Sequence, residues 1–414
     1  MNPSPGAARP RVLLFSTLYP SGVRPGHGIF VAARLQQVLA SGAVDARVVA
    51  PVPWFYSTDS RHGDHALMAR TARHERLEGV EVEHPRYLLP PKVGMHIAPF
   101  MLAAGALPTL KRLIRSGFDF DVIDAHYYYP DGVAAALLAR HFDKPLVITA
   151  RGSDLNLIAR HAVPRRLMRW AASRADTSIA VSQALADTMA SVGMAPSRIR
   201  VLCNGVDLAS FSPQPQAQAR RALGWPDVPT LIAVGNLVAL KGQRLVIEAL
   251  ESLTDHRLVL VGSGPDEVAL RSLAQQRGLA GRVQFCGRVE QRHLSAHYSA
   301  ADMLVLPSER EGMPNVALES IACGTPVIAT AVGGIPEIVD SPVVGRLMNK
   351  RSADGVAAAV REMCSQGIDR EAVRRHAMRF GWDDTTRAQL DIFRRLAAVR
   401  RTLPKLTATG TTCH

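Results

Sequence analysis

Short apolar runs alternate with amphipathic stretches along most of this 414-residue chain. In the first half, apolar runs at 11–16, 45–50, 122–125, 146–149 and 177–180 have the length of buried strands. Helical patterns fall between them at 30–41, 132–141 and 182–192. Strands separated by helices predict a parallel sheet covered on both faces. Right-handed crossovers then put every strand's C-terminal end on one edge. From 207 to 229 the pattern lapses into a stretch rich in Pro, Gln and Ala, which predicts a linker. A second series follows at 229–234, 257–261, 283–285, 303–306 and 326–329, and a last helix at 382–401. The chain is also longer than a single core usually grows. The expected fold is α/β, with two doubly wound Rossmann-like domains facing across a cleft, at 10–208 and 209–380. A terminal helix at 381–401 would pack back on the first domain, and 402–414 would be a flexible tail.

Composition narrows the class. Apolar residues at 47% and charged residues at 21% are ordinary for a globular protein. The five cysteines (Cys203, Cys286, Cys323, Cys364, Cys413) are odd in number and lack C-x-x-C spacing, which argues against a disulfide framework or zinc site and fits a reducing cytosol. The N-terminal MNPSPGAARPR has no apolar segment of a secretory signal, and no apolar run reaches about 18 residues. A formal charge of +13 asks for an anionic partner. No basic run interleaved with aromatics and no zinc-finger pattern points to nucleic acid. Basic and apolar residues mix at 90–115, with Lys92, Lys111, Arg112 and Arg115, and in FRRLAAVRRTLPK at 393–405. Both fit an anionic membrane surface.

Candidate chemistry sits where strands end. The segment 306–334, LPSEREGMPNVALESIACGTPVIATAVGG, reads as strand, loop, helix and strand. Pro314 suits the helix's first turn, and Gly324 its end. Glu311 lies in the loop and Glu319 in the helix, whose N–H groups suit a diphosphate. The spacing alone is weak, since Glu75 and Glu83 repeat it in a polar segment. The loop after 234 holds Gly235, Asn236 and Lys241, a cation suited to phosphate. Gly262-Ser263-Gly264-Pro265 is a tight turn, but no complete G-x-G-x-x-G supports a dinucleotide-dependent dehydrogenase. In the first half Gly28 closes the loop after the first strand. His126 ends the third, and Arg151 and Asp154 follow the fourth.

In order, ITARGSD (148–154), SQALADTMASVG (182–193), VLCNGVDLASF (201–211), VGNLVALKG (234–242), VGSGP (261–265), the 301–330 segment and GGIPEIV (333–339) resemble the family 4 glycosyltransferases. These are retaining enzymes of the GT-B fold. STLYPSGVRPGHGIFV (16–31) is similar to a bacterial branch that builds cell-surface polysaccharides. The resemblance covers about residues 11–390. It implies a nucleotide-diphosphate sugar as donor, no cofactor, and no divalent metal. Glu319 would accept the ribose hydroxyls and Glu311 contact the transferred sugar. Lys241, with Gly312, Met313, Pro314, Asn315 and Val316, would hold the diphosphate beside Gly235, Asn236 and Gly264. His126 would sit near the reacting centre, and Gly28 would let the first loop approach the phosphate. Arg151 and Asp154 would face the acceptor, a glycan or lipid-linked chain. Asn236 replaces the arginine that many members carry there, which removes a charge from the clamp. Competing expectations are a nucleotide-sugar epimerase on the same architecture and a catalytically silent glycosyltransferase-like scaffold.

Overall fold

The computed structural model describes residues 9–90 and 94–402, and the chain divides into two compact units. The first comprises the chain up to Ala180, Thr188–Arg200, and everything from Thr386 onward. The second comprises Val181–Asp187 and Val201–Thr385.

The strands of the first unit are β1 (Arg11–Phe15), β2 (Asp45–Val49), β3 (Val52–Pro53), β4 (His74–Leu77), β5 (Val80–Glu83), β6 (Arg86–Tyr87), β7 (Val122–His126), β8 (Leu146–Ala150), β9 (Thr177–Ala180) and β10 (Ile199–Val201). Eight of them form one sheet in the order β10-β9-β8-β7-β1-β2-β5-β4. Pairing from β9 through to β5 is parallel, and β4 closes one edge antiparallel to β5. The central strands β7 and β8 are buried throughout, as strands covered on both faces must be. β3 and β6 pair separately as a two-stranded ribbon.

The second unit contains β11 (Thr230–Val234), β12 (Arg257–Val261), β13 (Val283–Gly287), β14 (Met303–Leu306), β15 (Val327–Thr330) and β16 (Gly345–Met348). They form a six-stranded, wholly parallel sheet in the order β13-β12-β11-β14-β15-β16. The order reverses direction at β11, so the β11 and β14 strand ends form the switch point of the sheet. Leu231, Leu258, Leu260, Val305 and Ile328 are among the buried side chains of its core.

One expectation needs correction, and two further stretches gain a definite structure. Residues 207–229 are not all linker, because the helix Gln216–Leu223 packs against the helix Gln291–Ala300. Arg220 anchors it, donating to the Ala300 carbonyl (3.0 Å) and to Asp302 (2.7 Å). The polar segment around Glu75 and Glu83 is the β4–β5 hairpin; Glu75 accepts the Gly22 N–H (2.7 Å) and Glu83 pairs with Arg112 (2.6 Å). The apolar stretch in 90–115 is the helix Gly94–Arg115, the one helix among the described residues long and apolar enough to cross a membrane. Ala98, Leu102, Ala106, Leu110 and Leu113 are nevertheless buried, so much of that apolar surface is spent inside the unit.

The last helix, Trp382–Thr402, starts in the second unit and continues in the first. Its Phe393, Leu390 and Ala397 are buried, and Gln389 links Arg34 (2.7 Å) to Asp124 (3.1 Å). Residues 403–414, expected as a tail and as part of a basic run, lie outside the described residues. Phe393→Ala removes a fully buried ring and should destabilise the first unit by about 3–5 kcal/mol. Urea unfolding should show this as a lower midpoint.

Candidate functional site

Two sets of side chains lie at C-terminal strand ends, one in each unit. In the second unit the loop after β14 leads into the helix Asn315–Ala322. Pro314 is the residue before that helix, extended at φ −75°, ψ 112°, so it caps the start instead of joining the first turn. Proline suits the place because it resists a helical residue before it and needs no N–H of its own. The first-turn amides of Asn315 and Val316 have no carbonyl one turn earlier within the helix. The Asn315 side chain accepts from Asn204 (2.9 Å), which fixes the helix start to the NG turn at 204–205.

The loop's shape depends on glycine at 333. Gly333 has φ +55°, and a Cβ there would stand 2.1 Å from the Glu311 carbonyl oxygen. The Gly334 N–H donates to the Gly312 carbonyl (2.8 Å), and the Ser182 hydroxyl lies 3.4 Å from the same oxygen. Backbone from 333–334 is thus pressed against 311–312, holding Glu311 toward β11. There Lys241, in the short 3-10 turn Ala239–Lys241, donates to Glu311 Oε1 at 2.6 Å. Both side chains are partly buried, at 24% and 10% exposure, so water screens the pair only in part.

Glu319 is one turn into the helix and buried. Tyr298 donates its phenol proton to Oε2 (2.9 Å), and Gln291 lies 3.4 Å from Oε1. Burial outweighs these two donors and pushes the carboxyl up to about 7. Gly235 and Gly264 sit on two strand-end loops that run together. The Leu237 N–H donates to the Ser263 carbonyl (3.0 Å), and a Cβ on Gly264 would meet the Leu237 oxygen at 2.2 Å. Asn236 is exposed at that edge, its carbonyl held by Gln243 (2.9 Å). Met313 is buried beneath the loop. The donor-side residues named from sequence other than Gly28, which belongs to the first unit, therefore lie in this one unit.

The first unit brings His126, Arg151 and Asp154 together. His126 is 1% exposed. Arg151 donates to its Nδ1 (2.6 Å), so Nε2 carries the proton and donates to Asp124 (3.1 Å). Burial, with Arg151 opposing Asp124, pulls the ring down to about 4. The imidazole is therefore neutral at pH 7, with both nitrogens engaged inside the unit. Arg151 also stacks over Phe30, 5.0 Å from the ring centre. Asp154 is fully buried and accepts main-chain N–H groups from Tyr128 (2.8 Å), Gly152 (2.8 Å) and Arg151 (3.2 Å). It clamps two strand-end loops together. Gly28 likewise answers an internal need: at φ +67° its missing Cβ would stand 2.3 Å from the Leu18 carbonyl.

Sequence reasoning missed Tyr298, Gln291, Asn204 and Asp131. Asp131 is fully buried, accepts from the Thr17 N–H (2.7 Å) and the Ser16 hydroxyl (3.1 Å), and is pushed up to about 7 by burial. Only Asn204 lay in a motif already singled out. Asp119-Phe120-Asp121 has the spelling of a D-x-D metal motif, which the sequence reading passed over. It precedes β7, at the end opposite His126; Asp121 accepts the Arg11 N–H (2.9 Å) and Asp119 pairs with Lys144. Both carboxylates have structural duties there.

The chain is similar to known proteins over most of its length. The family model for Glycosyltransferase Family 4 matches residues 61–210, and that for Glycosyl transferases group 1 matches 215–380. TuaC of Bacillus subtilis (strain 168), named for a glycosyltransferase of teichuronic acid biosynthesis, is 31% identical over 361 residues, 84% of this chain and 88% of its own. D-inositol 3-phosphate glycosyltransferase of Acidothermus cellulolyticus is 35% identical over 315 residues, 68% of this chain and 69% of its own. Among solved structures, sucrose-phosphate synthase of Thermosynechococcus elongatus superposes with a TM-score of 0.75 at 21% identity, covering 95% of this chain and all of the other. HepE of Anabaena, in complex with UDP-glucose, superposes with a TM-score of 0.68 at 20% identity, covering 96% and 100%. The chain belongs to the family 4 glycosyltransferases and has the GT-B fold.

Proposed function

We propose that this glycosyltransferase is a retaining, metal-independent hexosyltransferase. It moves a sugar from a nucleotide diphosphate to a lipid-linked or polysaccharide acceptor in cell-surface glycan synthesis. It would work in the cytoplasm, peripherally on the inner face of the membrane. The observation that carries the donor reading is the Lys241–Glu311 pair at 2.6 Å, beside the start of the helix that buries Glu319. UDP bound to HepE, and the teichuronic acid assignment in TuaC's name, support the donor and acceptor classes.

Lys241 and the Asn315 and Val316 amides are placed to meet a diphosphate, whose charge grows as the sugar leaves. Glu311 holds the Lys241 ammonium. With donor bound, the lysine turns to phosphate and Glu311 accepts sugar hydroxyls. Glu319 accepts the ribose hydroxyls, which adds donors to a carboxylate that burial had left short of them. The lysine and amides do the work a divalent cation would do. Asn236 adds hydrogen bonds without charge.

For retention we adopt a front-face route. The acceptor oxygen bonds to the anomeric carbon as the bond to phosphate breaks, on the same face. The acceptor proton passes to the departing phosphate oxygen. No carboxylate can be assigned as a nucleophile beneath the anomeric carbon; trapping a covalent glycosyl-enzyme at the wild-type rate would overturn the route.

The site is tested with the nucleotide sugar that most raises the melting temperature in a panel. Lys241→Ala should lower kcat about 100- to 1000-fold, on the scale of losing one positioned electrostatic group. Excess EDTA should leave the rate within about twofold; a loss restored by Mg²⁺ would return the charge to a metal. UDP affinity, measured by calorimetry, should fall as pH drops through about 7, because protonation of Glu319 removes its acceptor capacity. Glu319→Gln should flatten that profile and weaken UDP about 10- to 100-fold. In the empty protein the sign reverses. A carboxyl raised to about 7 contributes stability below the ordinary carboxylate range and loses it as pH rises through 7. Glu319→Gln should therefore stabilise the unliganded protein at pH 8 more than at pH 5.

A further inference from the structure

The first unit contains a second feature that the donor chemistry leaves unused. A cavity of ≈ 950 Å³ opens between the β3–β6 ribbon, the helix Gly63–Ala69 and the start of the helix Gly94–Arg115. That is at the upper end of the range of small-molecule sites, about 300–1,000 Å³. Its wall is almost entirely apolar, with Trp54, Phe55, Tyr56, Leu88, Leu89 and Met95 around the opening. Trp54, Tyr56 and Leu88 are 52%, 70% and 56% exposed, and Leu89 and Met95 are exposed as well. Five of the chain's exposed large hydrophobic side chains therefore converge on one opening, where scattered single ones would need no explanation. Thr17 and His65 provide polar contacts on the wall, and Thr17 is bonded to the buried Asp131.

Charge distinguishes this opening from a generic greasy patch. Ile158 lines the cavity, and the chain leaving it carries Arg160, Arg165, Arg166, Arg169 and Arg174. No carboxylate occurs between Asp154 and Asp176. Arg160, Arg165, Arg166 and Arg169 are exposed. Their helix, Ala162–Arg174, packs against the helix Gly94–Arg115, whose Gly94, Met95 and Ala98 form part of the wall. An apolar socket beside an acid-free arginine segment suits a molecule with a hydrocarbon body and an anionic head.

We infer that this cavity takes the hydrocarbon chain of a phosphate-bearing lipid acceptor, with the arginines of 160–169 facing its phosphate. The inference rests on the lipid-linked acceptor proposed above and adds where the lipid is held. The socket captures a single chain from the bilayer, so its affinity depends on chain length, whereas adsorption to a charged surface depends on lipid charge density. Each methylene that enters should strengthen binding about fourfold until the cavity is filled.

The test uses the full chain with farnesyl phosphate below its aggregation threshold. Farnesol, inorganic phosphate, and vesicles of anionic or zwitterionic phospholipid serve as comparisons, and Trp54 emission and calorimetry as readouts. Farnesyl phosphate should bind at least tenfold more tightly than farnesol, and inorganic phosphate should not compete at equal concentration. The surface double variant Leu88→Asp, Leu89→Asp should lose at least 30-fold in farnesyl phosphate affinity while binding UDP unchanged. Arg165→Glu with Arg166→Glu should bring farnesyl phosphate down to the level of farnesol. Three results would overturn the inference: unaltered binding by the leucine double variant, equal binding of farnesol and farnesyl phosphate, or binding to anionic vesicles with none to the dispersed lipid. Failure of UDP to bind the wild type would instead sink the donor reading and leave the lipid titration to stand or fall by itself.

Discussion

The parallel ladder is the constraint on which the rest depends. A strand pairing parallel to its neighbour must return through a crossover, so every turn that leaves a C-terminal end falls on one edge. In the second unit this puts the loops after β11, β12 and β14 side by side, though their residues lie up to about eighty positions apart in sequence. Lys241 and Glu311 meet for that reason, 70 residues apart. They stand where the strand order reverses, at the switch point of the sheet. No residue at the site needs a special fold of its own; the sheet does the gathering.

Buried carboxylates then divide by what surrounds them. Asp154 receives main-chain N–H groups from Tyr128, Arg151, Gly152 and Leu155 and serves as a fastener between loops. Glu319 receives one phenol at good distance and an amide at the limit, and so retains capacity to accept more. Burial raises the pKa of both, yet only the second has acceptor capacity left for a ligand. The chemistry of each follows from the count of donors aimed at it.

That distinction explains what was legible in the sequence. Strands with unbroken apolar runs, such as β1, β8, β11 and β14, could be read almost to the residue, because burial on both faces leaves no polar alternation. The stretch from β3 to β6 could not: its strands are only two to four residues long, too short for a local pattern to announce their pairing. The helix Gln216–Leu223 hid in a Pro-flanked stretch because its anchor, Arg220, looks like a surface residue until Asp302 meets it. Position at a strand end identified His126 and Asp154 as notable, and only their hydrogen-bond partners showed them to be internal. The Glu311–Glu319 spacing, uninformative by itself, gained meaning from Lys241 on another strand.

The chain's route between the two units has a consequence for how the protein is made. The first unit is completed only by residues from Thr386 onward, which supply Gln389 and Phe393 to its interior. A ribosome adding about 5–20 residues per second spends roughly 10–40 s on the intervening second unit. During that interval Arg34 and Asp124 have emerged without the glutamine that joins them. The later-made unit can therefore finish first, and the earlier one waits for its last helix.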